Sequence, residues 1–123
     1  YSESIWGSSG GGCAKQIHKP KWQHGSFCKG RAIADASAVA WNVAEYDSYN
    51  YGGWFTIGGT SVSTPLLAGI FGLAGNASKQ LGGRTFWQRK HHRDLYDVCG
   101  SSCIYQTYSY QGGWGSPNGI GAF

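Results

Sequence analysis

The stretch IGGTSVSTPLLAGIFGLAGN, Ile57–Asn76, decides how this chain is read. Two glycines precede a Thr-Ser pair, and a long apolar run follows with a proline four residues after Ser61. The run predicts a helix from Ser61 to Ala77, with Pro65 in its first turn, where a missing N–H costs nothing. Leu66, Leu67, Ile70, Phe71 and Leu73 cover more than one stripe. The helix is therefore expected to be buried on most sides. Gly69, Gly72 and Gly75 recur every three residues. Each costs about 1 kcal/mol against Ala in an isolated helix, so their expected use is close backbone packing against neighbouring strands. The helix is expected to end near Asn76.

Working outward, the glycines before Ser61 suit a sharp strand-to-helix turn, and WFTIGG from Trp54 reads as the preceding strand. RAIADASAVA and NVAEYDSYN, from Arg31 and Asn42, read as short strands. The tyrosine- and tryptophan-bearing segments on either side of Asn50–Gly53 suit a hairpin. Residues 1–30 carry Gly, Pro and Lys without a sustained period and read as loop. Residues 79–94 read as a polar connection, LYDVC as a short strand or turn, and the tail after Ser101 as a Tyr/Gly-rich loop.

At 123 residues the chain is long enough for one domain with a modest core. Six Trp, eight Tyr, five Phe and 21 Gly, against only 13% charged residues, suit an aromatic-packed extracellular protein. Methionine is absent, so residues upstream of Tyr1 are expected to have been removed or left out. No run suits a membrane span, and no signal peptide is visible. The net charge of +4 is weak as an argument for any partner. The basic run RTFWQRKHHRD, Arg84–Asp94, is either a polyanion patch or a solvated loop, and the loop is the expectation. Nothing beside it resembles a nucleic-acid module.

The cysteines are Cys13, Cys28, Cys99 and Cys103. Four cysteines allow three connectivities. Cys13–Cys28 and Cys99–Cys103 are expected because each pair shares a local segment. An oxidising, extracellular compartment follows from such pairing, and the longer loop contributes about 3 kcal/mol in the chain-entropy account. A four-cysteine zinc site lacks the repeated short gap it needs. The sequon at Asn76 to Ser78 marks Asn76 as a glycosylation candidate if the source modifies secreted proteins this way.

The motif GGTSVSTP, Gly58–Pro65, resembles the nucleophile motif of the sedolisins, serine-carboxyl peptidases of the subtilisin-like clan. SGGGC at Ser9, KPKWQ at Lys19, ADASAVA at Ala34, AEYDSY at Ala44, LYDV at Leu95 and GSPNG at Gly115 follow in the order of the last third of that catalytic domain. The resemblance covers nearly the whole chain, 1–123. It implies a partial subtilisin-like α/β domain with a short, mostly parallel sheet, a hairpin and one buried central helix after the nucleophile Ser61. A helix start offers free N–H groups and a positive dipole end beside such a serine. Alone, a Gly-Thr-Ser would more often be a helix cap.

The resemblance also implies partners for that serine: a Glu and an Asp upstream, and an Asp for the oxyanion. The acids here are Glu3, Asp35, Glu45, Asp47, Asp94 and Asp97, and none matches those positions. Asp35 matches a structural aspartate of the family. His24-Gly25-Ser26 is superficially similar to a subtilisin histidine motif but falls in the KPKWQ loop. The family's calcium site would begin at Asp97 and the Val98 carbonyl. Its second Asp falls on Ser109 and its glycines on Thr107 and Tyr105, so Asp97 and Val98 are the remnant of a calcium site at which tight binding is not expected. The expectation is a secreted peptidase segment that carries Ser61 but is inactive without a companion chain. The alternative is a non-catalytic extracellular protein that self-associates as a homo-oligomer or fibre. In a third reading, Trp54, Tyr110 and Trp114 hold a sugar. Peptide would be the substrate of a complemented chain; nucleic acid and membrane are not expected partners.

Overall fold

A computed structural model describes residues 2–119 and 123, with the backbone alone described at 89–91. The middle of the basic run, the side chains of Arg89, Lys90 and His91, thus lies outside the described residues. The element order is β1 (Cys13–His18), β2 (Gly30–Ala32), β3 (Val43–Asp47), β4 (Gly53–Ile57), α1 (Thr60–Leu73), α2 (Gly83–Trp87), β5 (Leu95–Tyr96) and β6 (Ser116–Pro117). Short 3-10 turns at Ala77–Lys79, Arg89–Asp94 and Gly100–Ser102 join them.

The strands form three separate two-stranded sheets, β1–β2, β3–β4 and β5–β6, all antiparallel. The expected mostly parallel sheet is therefore corrected: this is a small mixed α/β domain. The reason is chain geometry. Parallel neighbours need a crossover of a dozen or more residues. α1 is long enough for one, but among the described residues no strand after it pairs with β3 or β4.

The hairpin falls where the turn residues place it. Val43 faces Ile57 and Asp47 faces Gly53. The Asp47 carboxylate accepts the Tyr49 and Asn50 amides at 2.7 and 3.2 Å, closing the turn locally. The strand expected over 31–40 shrinks to Gly30–Ala32, and the rest of that segment belongs to no strand. Conversely, β1 lies where loop was expected. The Cys13–Cys28 disulfide explains it, because it ties the start of β1 next to β2 where Cys13 faces Ala32. The second bridge joins Cys99 and Cys103.

The core sits away from α1. Its buried members are Cys28, Ala32, Phe86, Trp87, Tyr108 and Trp114. Phe86 and Trp87 come from α2, inside the segment read as a polar connection. Tyr108 and Trp114 come from the tail read as loop. Trp114 meets Trp87 edge-on at 5.3 Å and Tyr108 at 5.4 Å, a geometry that aligns ring edges with faces. Gly113 makes this approach possible. Its φ is 59°, and a side chain there would come within 2.4 Å of the Asp35 carbonyl carbon.

Asp35 joins these pieces. One carboxylate oxygen accepts the Trp87 indole N–H at 2.8 Å and the other pairs with Arg31 at 2.6 Å. Its carbonyl accepts the Trp114 amide at 3.1 Å. One residue along, the Ala34 carbonyl accepts the Tyr108 hydroxyl at 3.0 Å.

α1 departs most from expectation. None of its residues is buried, and Leu73 is 75% exposed. Leu67 and Phe71 only skirt the core. A side chain at Gly69 or Gly72 would meet nothing within 4 Å, so these glycines do not serve close packing here. The helix stops at Leu73, earlier than the apolar run, where the Ala74 amide closes on the Ile70 carbonyl and Gly75 turns to φ 72°. Pro65 lies in the second turn, not the first. The ladder bond that its N–H would have made to the Ser61 carbonyl is therefore absent.

Two outcomes follow from this core. Removing the Asp35 carboxylate in Asp35→Ala strands the Arg31 charge and the Trp87 indole, and is expected to cost about 3 kcal/mol in urea unfolding. Burial pushes the Tyr108 hydroxyl well above the usual tyrosine range, and the Asp35 charge adds to it. The folded chain thus favours the neutral phenol. That contribution is whole below about pH 10, the ordinary tyrosine value, and is lost as pH rises through the folded one. Tyr108→Phe is expected to flatten the alkaline loss of stability in a pH-stepped unfolding series.

Candidate functional site

The site is built from the end of β4 upward. After Ile57 the chain turns through Gly58 and Gly59 into α1. Gly59 has φ 148° and ψ 156°, a conformation closed to side-chain-bearing residues. Its amide donates to the Ala40 carbonyl at 2.7 Å, and the Val62 amide returns to the Gly59 carbonyl at 3.0 Å. A side chain at Gly58 would strike the Trp41 ring, which stacks on Trp6 at 5.9 Å. The glycine pair is therefore fitted to a tight strand–turn–helix passage.

The turn presents Ser61 at the second helical position, exposed to solvent. Gly59 holds the cap position, and no side chain caps the helix. The bland role for such a serine, capping, is therefore not the one Ser61 has. Its neighbours use their hydroxyls differently. Ser63 donates to the carbonyls of Ala38 and Val39, at 3.1 and 3.0 Å, and Thr64 donates back to the Thr60 carbonyl at 3.0 Å. Among the described residues, the Ser61 hydroxyl has no such partner. Apart from the Val62 amide, which bonds the Gly59 carbonyl, the first amides of α1 lack an intrahelical carbonyl partner, and no acid lies in the first turn to neutralise the dipole.

No acid or base reaches Ser61 among the described residues. Glu3 accepts a hydrogen bond from the Ser116 hydroxyl. Asp35 is held by Arg31 and Trp87. Asp47 closes the hairpin turn, and Asp94 lies 3.9 Å from the Arg93 guanidinium. Glu45 faces Phe55 across the exposed hairpin. His24 donates from Nε2 to the Trp87 carbonyl at 3.0 Å, packed among Trp87, Tyr105 and Trp114, so its Gly-Ser neighbours do not make it a catalytic base here.

A cleft of about 880 Å³ runs beside this helix. Thr60, Ser63, Leu67 and Phe71 form one wall, and the extended segment Ile33–Trp41 forms the other. The same segment is fixed at both ends: the Ser37 amide bonds the Gly115 carbonyl at 2.9 Å, and Ala38 to Ala40 are held by α1 and its turn.

At Asp97 the structure places sulfur rather than oxygen. The carboxylate Oδ1 accepts the Cys99 and Gly100 amides at 2.8 and 3.2 Å, and the Cys99–Cys103 bridge lies against it. The Val98 side chain is buried. Ser109, where the family's second aspartate would stand, is fully buried, with its hydroxyl accepting the Gly112 amide at 2.9 Å. This donor set does not fit calcium, which takes six to eight oxygens. Asn76 donates to the Phe123 carbonyl at 3.1 Å and accepts from Gln80 at 2.9 Å, so a glycan there would displace a contact to the chain end. Trp114 is core, Tyr110 packs on it, and Trp54 alone of the three proposed sugar aromatics is exposed.

No protein-family model, curated protein or solved structure matches the chain at a significant level. The site therefore rests on its own geometry, which separates two serines cleanly. Ser61→Ala is expected to leave stability within about 0.5 kcal/mol. Ser63→Ala, which removes the one hydroxyl donor shared by the Ala38 and Val39 carbonyls, is expected to cost about 1–2 kcal/mol. Urea unfolding of the two variants reads the difference.

Proposed function

We propose that this chain is the C-terminal part of a secreted sedolisin-like serine peptidase, with Ser61 in the nucleophile position. One observation carries the reading. The Ser61 hydroxyl is exposed and unbonded in the first turn of α1, directly behind a tight glycine turn. In this role a carboxylate from a companion segment takes the Ser61 proton as the hydroxyl attacks a peptide carbonyl. Donors near the helix start then stabilise the oxyanion. The chain contributes the nucleophile and its mounting, and the companion contributes the acids. Calcium has no part in this reading.

The surroundings of α1 support a companion. None of its residues is buried, Leu66 and Leu73 are exposed, and the cleft beside it is walled by the Ile33–Trp41 segment. The two disulfides suit an oxidising, extracellular setting. Among the described residues no helix is long and apolar enough to cross a membrane.

A second reading, self-association without catalysis, is favoured by the hairpin. Tyr46 and Trp54 form a T-shaped pair at 5.3 Å on its outer face, with Trp54 74% exposed. Large exposed aromatic patches of this kind mark interaction surfaces.

Two measurements test these readings. A fluorophosphonate is expected to leave Ser61 unlabelled in the isolated chain but to label it in material from the producing cells. Stoichiometric labelling of the pure chain would mean a base within these residues. Absence of labelling in both would leave the non-catalytic reading. In light scattering the purified chain is expected to be oligomeric; a monodisperse, cooperatively folding monomer would show that α1 needs no cover.

A further inference from the structure

The loop Asp97–Cys103 holds three metal-ligating side chains together. One ligand atom from each of Asp97, Cys99 and Cys103 lies within 4.8 Å of the others. The Asp97 Oδ1 atom is 3.2 Å from the Cys99 sulfur and 3.7 Å from that of Cys103, and Oδ2 is 4.0 Å from the latter. A disulfide sulfur has no proton to donate, so these are packing contacts and not hydrogen bonds. The bridge keeps the sulfurs from acting as ligands, because metals take thiolates.

We propose that reduction of Cys99–Cys103 opens a site for a thiophilic divalent cation of the zinc class, held by the two thiolates and the Asp97 carboxylate. The dimensions suit it. Metal–sulfur bonds of about 2.3 Å and metal–oxygen bonds of about 2.0 Å put tetrahedral S···O edges near ~3.5 Å and the S···S edge near ~3.8 Å. The S···O contacts already bracket that length. The Cα atoms of the two cysteines are 5.1 Å apart, so side-chain rotation alone can open the sulfurs to the longer edge. The carboxylate is also oriented in advance. Oδ1, the oxygen within 3.7 Å of both sulfurs, is held in place by the Cys99 and Gly100 amides. Ligands fixed by such outer bonds bind metal more tightly. On the buried side the Thr107 carbonyl oxygen closes the loop at 3.2 Å from the Cys99 sulfur. Asp97 is exposed, which leaves the fourth position to water.

The chemistry balances simply. A phosphine reductant attacks one sulfur and breaks the S–S bond. It leaves as the phosphine oxide with an oxygen from water, and two thiols result. The cation then displaces both thiol protons. The other bridge has no equivalent. Among the described residues no Asp, Glu or His joins Cys13 and Cys28 in a ligand cluster.

The test uses the full chain, a trialkylphosphine and Co²⁺ as probe, read by the thiolate-to-cobalt charge-transfer band and competed with Zn²⁺. One Co²⁺ per reduced chain is expected, and no band in the oxidised chain. Cys99→Ser with Cys103→Ser is expected to abolish the band, Cys13→Ser with Cys28→Ser to keep it, and Asp97→Asn to weaken binding at least about tenfold. If reduction loosens the chain, Zn²⁺ is expected to restore its circular dichroism. The proposal is overturned if the reduced chain gives no band, or if the band survives loss of Cys99 and Cys103. Unchanged affinity in Asp97→Asn, or a loosened chain that Zn²⁺ does not restore, overturns it equally.

Discussion

Asp35 is gripped from three directions, and the rest of the molecule is arranged around that grip. Its side chain bridges Arg31 in β2 and Trp87 in α2, while its carbonyl receives Trp114 from the tail. These segments are far apart in sequence, and Asp35 bonds to all three. A carboxylate with a guanidinium on one oxygen and an indole on the other is a charge-assisted junction in which both oxygens are satisfied. Gly83 and Gly113 show how tightly it is seated, because a side chain at either would run into Asp35. The aromatic core then closes over this junction, with Tyr108 bonded to the adjoining carbonyl of Ala34.

The same extended segment that begins at Asp35 reaches the nucleophile candidate. Ala38, Val39 and Ala40 receive Ser63 and Gly59, so the start of α1 is tied through five residues of backbone to the core junction. This makes the placement of Ser61 rigid at its root although α1 is exposed along its length. It also divides the labour between two serines that sequence alone makes alike. Ser63 is a fastening, whereas Ser61 has its hydroxyl unspent. The carboxylates are all engaged elsewhere or remote, which is why the reading assigns the general base to a companion.

The molecule is lopsided in a way that bears on its partners. Aromatic rings and one disulfide concentrate around Trp87 and Trp114, while α1 and the β3–β4 hairpin expose leucine, tyrosine and tryptophan. An apolar helix in water is marginal without a packed face. The cleft along α1 is the complement of that deficit, since its walls offer apolar side chains and partly bonded backbone to the same occupant.

Local chemistry determined a good part of this protein in the sequence itself. The hairpin followed from turn residues between aromatic runs, the start of α1 from Gly-Gly-Thr-Ser, and the disulfide pairing from short separations. Each depends on neighbours along the chain, and there the sequence suffices. Tertiary structure decided the rest. Whether strands run parallel depends on which segments meet, and among the described residues each pairs antiparallel. Phe86 and Trp87 lie in a basic, loop-like stretch, yet they are core because Asp35 captures the indole. Burial of Tyr108 and Trp114 depends on glycines that fit the chain against Asp35, a long-range complementarity that no window of sequence displays. The apolar pattern of α1 predicted a buried helix, but burial needs a surface to pack against, and the residues described here provide only its edge.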